Sequence, residues 1–330
     1  MGQLQTARKI ASATMVGAGS VSAVGAGLYG VMRIEALLAR RAIGNASEEP
    51  PPNASGWYGR RRPGPAIKIA LLGDSGAAGY GVERVEDTPG AHLASGVASH
   101  ADRRVYLGSF PVVGARSSDL MAQVERALPI EPDVVVISIG GNDVTHGIRP
   151  ARAVADLVEC MQRITATGAH VVVGTCPDLG TVRPIAQPLR QYARAMSRRL
   201  ATAQAVATVT SGGRSVSLGD VLGPEFAANP ATLFGPDQFH PSAQGYSALA
   251  ATLLPSTLAA LGLIEGDELI PGRGEGLLNL VQAAGEAART PGTELDGTAP
   301  PHRGVRGRLV ELRHRRRQPT VEPETPTDSL

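Results

Sequence analysis

Four places in this 330-residue chain carry groups that can take part in bond-making chemistry. The first is Gly73-Asp74-Ser75-Gly76. A serine hydroxyl is a poor nucleophile until a neighbour takes its proton. The second, Asp237-Gln238-Phe239-His240-Pro241, holds such a neighbour. Neutral imidazole accepts a proton near pH 7, and an aspartate three residues earlier can reach the ring from a single turn and fix its tautomer. The same DxxH spacing also fits a helix N-terminal cap. The third stretch is Gly140-Gly141-Asn142-Asp143. The Asn142 amide can donate to a developing oxyanion, where one donor is worth about 3 kcal/mol, although Asn and Gly also simply favour turns. The fourth is Gly114, whose backbone N–H has no side chain in the way; taken alone it is one of 40 glycines.

Rival readings of the serine loop are disfavoured. Gly73, Gly76 and Gly79 are spaced GxxGxxG rather than GxGxxG, and no acidic residue ends the second strand to hold a ribose. A P-loop needs a GK[ST], which is absent, and the GxSxG elbow of the ordinary lipase fold does not occur. Cys160 and Cys176 are the only cysteines, with no CxxC or Cys/His cluster, so a structural zinc site is unsupported; two small buried residues are expected, with one disulfide as the alternative for an exported domain. The net charge of +2 argues against a nucleic-acid binder, and no nucleic-acid partner is expected.

The elements that must position these groups are legible as strand–helix alternation from residue 66 onward. Residues 67–72, 105–107, 134–139, 171–175 and 216–218 read as strands; the first is apolar apart from Lys68, as expected of a strand buried on both faces. Helical patterns fall at 92–100, 118–128, 151–167, 185–206 and 242–261. Such repetition predicts a parallel sheet with helices on both faces and a ligand crevice at the carboxyl ends of the strands. Aromatics make up only 3% of the chain, so an aliphatic core is expected.

With the strands placed, the blocks resemble those of the GDSL/SGNH hydrolases. GDS at 73–75, Gly114 within VVGARSSDL, GGND at 140–143 and DQFHPSAQGY at 237–246 stand in the family's order, over roughly residues 66–263. The resemblance implies a flavodoxin-like three-layer αβα sandwich with a five-stranded parallel sheet. It implies Ser75 as nucleophile, His240 as general base and then acid, and Asp237 as the group orienting His240. The oxyanion donors would be the N–H groups of Ser75 and Gly114 and the side chain of Asn142. Asp74 and Asp143 are expected to brace their loops. His146 is the rival histidine, without the Pro-initiated helix that follows His240. Asp178 reads equally as pocket lining or as loop structure.

The expected activity is carboxylic ester hydrolysis on a small-molecule or lipid ester, with no cofactor and no metal. An acyltransferase of the same fold and, behind it, a non-catalytic envelope protein are the alternatives. Residues 1–42 read as a membrane anchor or signal-like helix, because the uncharged stretch 10–32 is just long enough to cross about 30 Å of hydrocarbon. A helix packing elsewhere is the alternative, since the stretch is rich in Gly, Ala and Ser. A location at the cell envelope follows from the first reading. Residues 43–65 read as a Pro/Gly-rich linker, 264–289 as a short helical extension and 290–330 as a largely disordered Pro/Arg-rich tail.

Overall fold

The central strands β2, β4 and β5 are short, mostly apolar runs, buried at nearly every position. The computed structural model describes residues 30–35, 37–38, 49–219, 230–264, 276–289, 293–296, 302–304, 307–314 and 321–327. In chain order, β1 (Gly56–Tyr58) precedes β2 (Ile67–Gly73), the one-turn helix α1 (Ser75–Ala78), α2 (Pro89–Ala101), β3 (Val105–Ser109) and α3 (Leu120–Ala127). Then come β4 (Val134–Ser138), α4 (Gly141–Thr145), α5 (Pro150–Thr165), β5 (His170–Gly174), α6 (Leu189–Thr210) and β6 (Arg214–Val216). The chain continues through α7 (Pro230–Leu233), α8 (Ala243–Ala260), β7 (Gly276–Asn279), α9 (Leu280–Ala287), β8 (Thr293–Asp296), β9 (His302–Gly304) and β10 (Gly307–His314).

Five strands pair in parallel in the order β3-β2-β4-β5-β6. This is the flavodoxin-like order, whose ligand crevice opens where the winding reverses, between β2 and β4. Alternation along the strands separates two cores. Ile69, Leu71, Val134 and Val136 face one side, against α2 and α8; Ala70, Leu72, Val135 and Ile137 face the other, against α3 and α5. The fold is therefore the expected αβα sandwich.

The sheet extends beyond those five strands, and three expectations about its flanks are corrected. Gly56–Tyr58 lies inside the stretch expected to be a linker, yet it pairs antiparallel with β3. Pro50, Pro51 and Pro52 on one side and Pro63 and Pro65 on the other bracket it without entering it, Trp57 packs edge-on against Tyr106 at 5.2 Å, and the fully buried Tyr58 donates its hydroxyl to the Ala54 carbonyl at 2.7 Å. Within the tail expected to be disordered, β8 adds antiparallel to β6. Its acidic residues are buried against a partner across the strand pair: the Arg214 guanidinium meets Glu294 at 2.6 Å and Asp296 at 2.9 Å. Further along the tail β10 pairs with β8, and Thr327 pairs with Trp57. In the extension expected to be helical, the helix starts only at Leu280, because Gly276–Asn279 pairs with β10. The fifth parallel strand also sits two residues earlier than its apolar pattern suggested, at Arg214–Val216.

Cys160 and Cys176 are buried free thiols. The stretch 10–32 lies outside the described residues except for its last three, which are helical. Among the described residues no helix is long and apolar enough to cross a membrane, and no group of three or more His, Cys, Asp or Glu is placed to hold a metal ion.

Candidate active site

The site forms where β2 and β4 end side by side. Gly73 closes β2 at φ +148°, and a Cβ there would lie 2.0 Å from the Ser138 carbonyl oxygen, so only glycine lets the two strand ends approach this closely. Ser75 follows as the first residue of α1, and Asp74 caps that helix by accepting the Gly76 N–H at 3.0 Å. Burial pushes the Asp74 carboxyl up to about 6, against the opposing pull of the Gly76 N–H and of His240.

His240 arrives from the other end of the domain. Its Nε2 stands 2.9 Å from Ser75 Oγ, and its Nδ1 stands 2.6 Å from Asp237 Oδ2. The other Asp237 oxygen accepts the N–H groups of Phe239 at 3.0 Å and His240 at 2.9 Å. Burial pulls the Asp237 carboxyl upward, but these hydrogen bonds together hold it below the usual range, so it is ionised at neutral pH. Helix α8 is capped by Ser242, which accepts the Gly245 N–H at 3.2 Å. Asp237 is thus free of the capping duty that its spacing also allowed. The imidazole is wedged edge-on between Tyr80 and Phe239, each with ring centroids 4.8 Å away.

Asn142 lies in the first turn of α4 and lines the cavity beside Ser75. Its amide donates one hydrogen to the Ala115 carbonyl at 3.0 Å, leaving a second N–H for another acceptor. Gly114 sits on the adjoining loop at φ +82°, with nothing within 4 Å of where a Cβ would be. The loop is tied to the nucleophile strand by Val112, whose N–H donates to Gly73 at 3.1 Å. Gly114 is not among the residues that line the cavity. Asp143 is buried and accepts the Ser117 N–H and hydroxyl, the latter at 2.9 Å, which joins the Asn142 loop to the Gly114 loop. The Ser75 N–H, first in its helix, has no acceptor within that helix.

Neither rival residue joins this group. His146 is exposed, with Nδ1 against the Asn142 carbonyl at 2.8 Å. Asp178 is buried loop structure: it caps Gly180 at 2.8 Å, and one of its oxygens takes Arg198 at 2.9 Å and Arg194 at 3.4 Å.

Two glutamines that the motifs do not reveal hold the strand ends in place. Gln123 accepts the Gly73 N–H at 2.8 Å and donates to the Gly73 carbonyl at 2.9 Å. Gln204 accepts the Cys176 N–H at 2.7 Å and donates to the Ile139 carbonyl at 3.0 Å, joining the ends of β4 and β5. Both are buried. The available signal is a polar residue on the apolar stripe of an amphipathic helix: Gln123 shares the buried face of α3 with Leu120, Val124 and Ala127. A third such tie is Tyr246, fully buried, whose hydroxyl donates at 2.7 Å to the carbonyl of Tyr80, the residue whose ring flanks His240. Gln123→Leu leaves the buried N–H of Gly73 without a partner, while the Gly73 carbonyl keeps the Val112 N–H. A loss of about 1–3 kcal/mol is expected for the one orphaned group, read from the urea midpoint at unchanged slope.

The chain is similar to several known proteins. Residues 71–248 match the GDSL-like Lipase/Acylhydrolase family. The chain is 40% identical to the GDSL-like esterase Rv1075c of Mycobacterium tuberculosis over 253 residues, 72% of this chain and 79% of that protein. Among solved structures, a lipase/acylhydrolase from Enterococcus faecalis is 21% identical, with 59% of this chain and 96% of that one covered, at a TM-score of 0.44. The acetylxylan esterase Axe2 from Geobacillus stearothermophilus is 17% identical, with 61% and 97% covered, at a TM-score of 0.47. The family match spans more than half of the chain and the esterase match most of it, so this chain belongs to the GDSL-like lipase/acylhydrolase family and is a carboxylic ester hydrolase.

Proposed function

We propose that the protein hydrolyses esters through an acyl-enzyme on Ser75. The unbroken chain from Asp237 through His240 to Ser75, with contacts of 2.6 and 2.9 Å, carries this reading. His240 Nε2 takes the hydroxyl proton as Ser75 Oγ bonds to the ester carbonyl carbon. Asp237, ionised, keeps Nδ1 protonated and stabilises the imidazolium that forms. The developing oxyanion is met by the Ser75 N–H, the free N–H of Asn142 and, from the adjoining loop, the Gly114 N–H. His240 then hands the proton to the departing alcohol as the C–O bond breaks. Water, deprotonated by the same imidazole, attacks the acyl-enzyme and releases the acid. No step calls for a cofactor or metal.

The same nucleophile serves an acyltransferase, and the acceptor decides between the two. Incubation of p-nitrophenyl butyrate with the full chain, with and without a sugar acceptor, is expected to give free butyric acid equal to p-nitrophenol in both cases. Butyryl-sugar accounting for most of the released acyl group would replace hydrolysis with transfer. The uncharged stretch 10–32, with Arg8 and Lys9 before it and Arg33 after it, supports a place for the enzyme at the cell envelope.

A further inference from the structure

We infer that the cavity beside Ser75 is an acyl pocket that accepts neutral chains of two to four carbons, making the enzyme selective for short-chain esters. This rests on the ester-hydrolase reading and names its substrate class. The cavity has a volume of about 90 Å³. A cavity of about 150 Å³ takes up benzene, a six-carbon molecule. On that scale there is room for about three or four carbons, a propyl chain beyond the carbonyl carbon, and not for the seven of an octanoyl tail.

The walls come from two separately packed clusters, which makes them hard to part. Leu179 and Val182 belong to a small cluster of the loop after β5, with Phe239 packed against it. Leu218 and Leu249 belong to the main core on the α2/α8 side of the sheet. All four aliphatic side chains are buried. Leu218 is seated on β5: Gly174 has no side chain at that point, and a Cβ there would lie 2.6 Å from Leu218 Cδ1. With the strand behind it, Leu218 has no room to retreat from a longer chain. Among the described residues, the only ionisable side chains lining the cavity are Asp74 and His240. Both are already engaged, Asp74 by the Gly76 N–H and His240 by Asp237 and Ser75, which favours an acyl group without a charge of its own.

The test is kcat/KM of the full chain on p-nitrophenyl acetate, butyrate, hexanoate and octanoate, with Ser75→Ala as the blank and a small fluorophosphonate to count active sites. A fall of about 30-fold or more from butyrate to octanoate is expected, since single methylenes in such pockets are worth about 10-fold upward. Val182→Ala, a mild change in the loop cluster, and Leu249→Ala should each raise the octanoate/butyrate ratio about tenfold, while Leu249→Phe should push butyrate below acetate. The pocket assignment is overturned if the parent hydrolyses octanoate within about threefold of butyrate, or if both alanine variants titrate fully and keep the parent ratio. Ser75-dependent turnover with a long-chain preference sinks this inference alone. Absence of Ser75-dependent turnover on every ester sinks it together with the hydrolase reading.

Discussion

Ser75→Ala is expected to lower kcat/KM for p-nitrophenyl butyrate by about a millionfold, the loss typical of a nucleophile removed from a coupled triad. The substitution leaves the fold in place. Ser75 Oγ makes its polar contact with His240 alone, and the one-turn helix that carries it is capped by Asp74 and not by the serine itself. The melting temperature should accordingly stay within a few degrees of the parent's, in the range of most substitutions away from core and caps. Residual turnover, about a thousandfold over water, would come from the oxyanion donors and substrate binding. Turnover reduced less than about a hundredfold in a variant with unchanged melting would remove Ser75 from the role of nucleophile.

The second large effect concerns the base. His240→Ala should cost about as much as Ser75→Ala, and the double variant about as much as either alone, because the two groups act as a unit. Asp237→Asn should cost less, about ten-thousandfold, since the carboxylate orients and stabilises the ring without moving the proton itself. Kinetics of the three variants and the double variant on one ester measure this directly. Additive losses would show that Ser75 and His240 act independently. Survival of activity in His240→Ala would transfer the base to another histidine; His146, exposed and held at its own helix end by the Asn142 carbonyl 2.8 Å away, is where that search would begin.

The candidate site was legible in the sequence because its central residues sit in local patterns. Ser75 follows a strand whose apolar run is self-evident, and Asp237 reaches His240 within one turn, so three residues of sequence nearly determine the 2.6 Å contact. The central sheet was legible for a similar reason: Val134–Ser138 is buried at every position, and a strand covered on both faces carries no alternation to misread. What escaped depends on partners distant in the chain. Gln123 matters only because α3 lays it against Gly73, 50 residues earlier. Glu294 and Asp296 resemble a solvated acidic tail until Arg214, 80 residues before Glu294, is placed beside them. Trp57 and Tyr58 sit between prolines that suggest a linker, and only the free edge of β3 turns them into a strand. Tyr80, Phe239 and Tyr246 show how far the frame of His240 extends beyond its motif: two rings brace the imidazole, and a buried hydroxyl ties one of them to α8.

The central claim, that Ser75 is the atom acylated and His240 the group that activates it, is tested most directly by covalent capture. The full chain and its Ser75→Ala and His240→Ala variants would be treated with a fluorophosphonate and weighed intact, and the modified peptide would be sequenced by mass spectrometry. A single adduct on Ser75 in the parent, none in Ser75→Ala, and labelling slowed by orders of magnitude in His240→Ala is the predicted result. An adduct on any other residue, or labelling of Ser75 at the parent rate without His240, would contradict it.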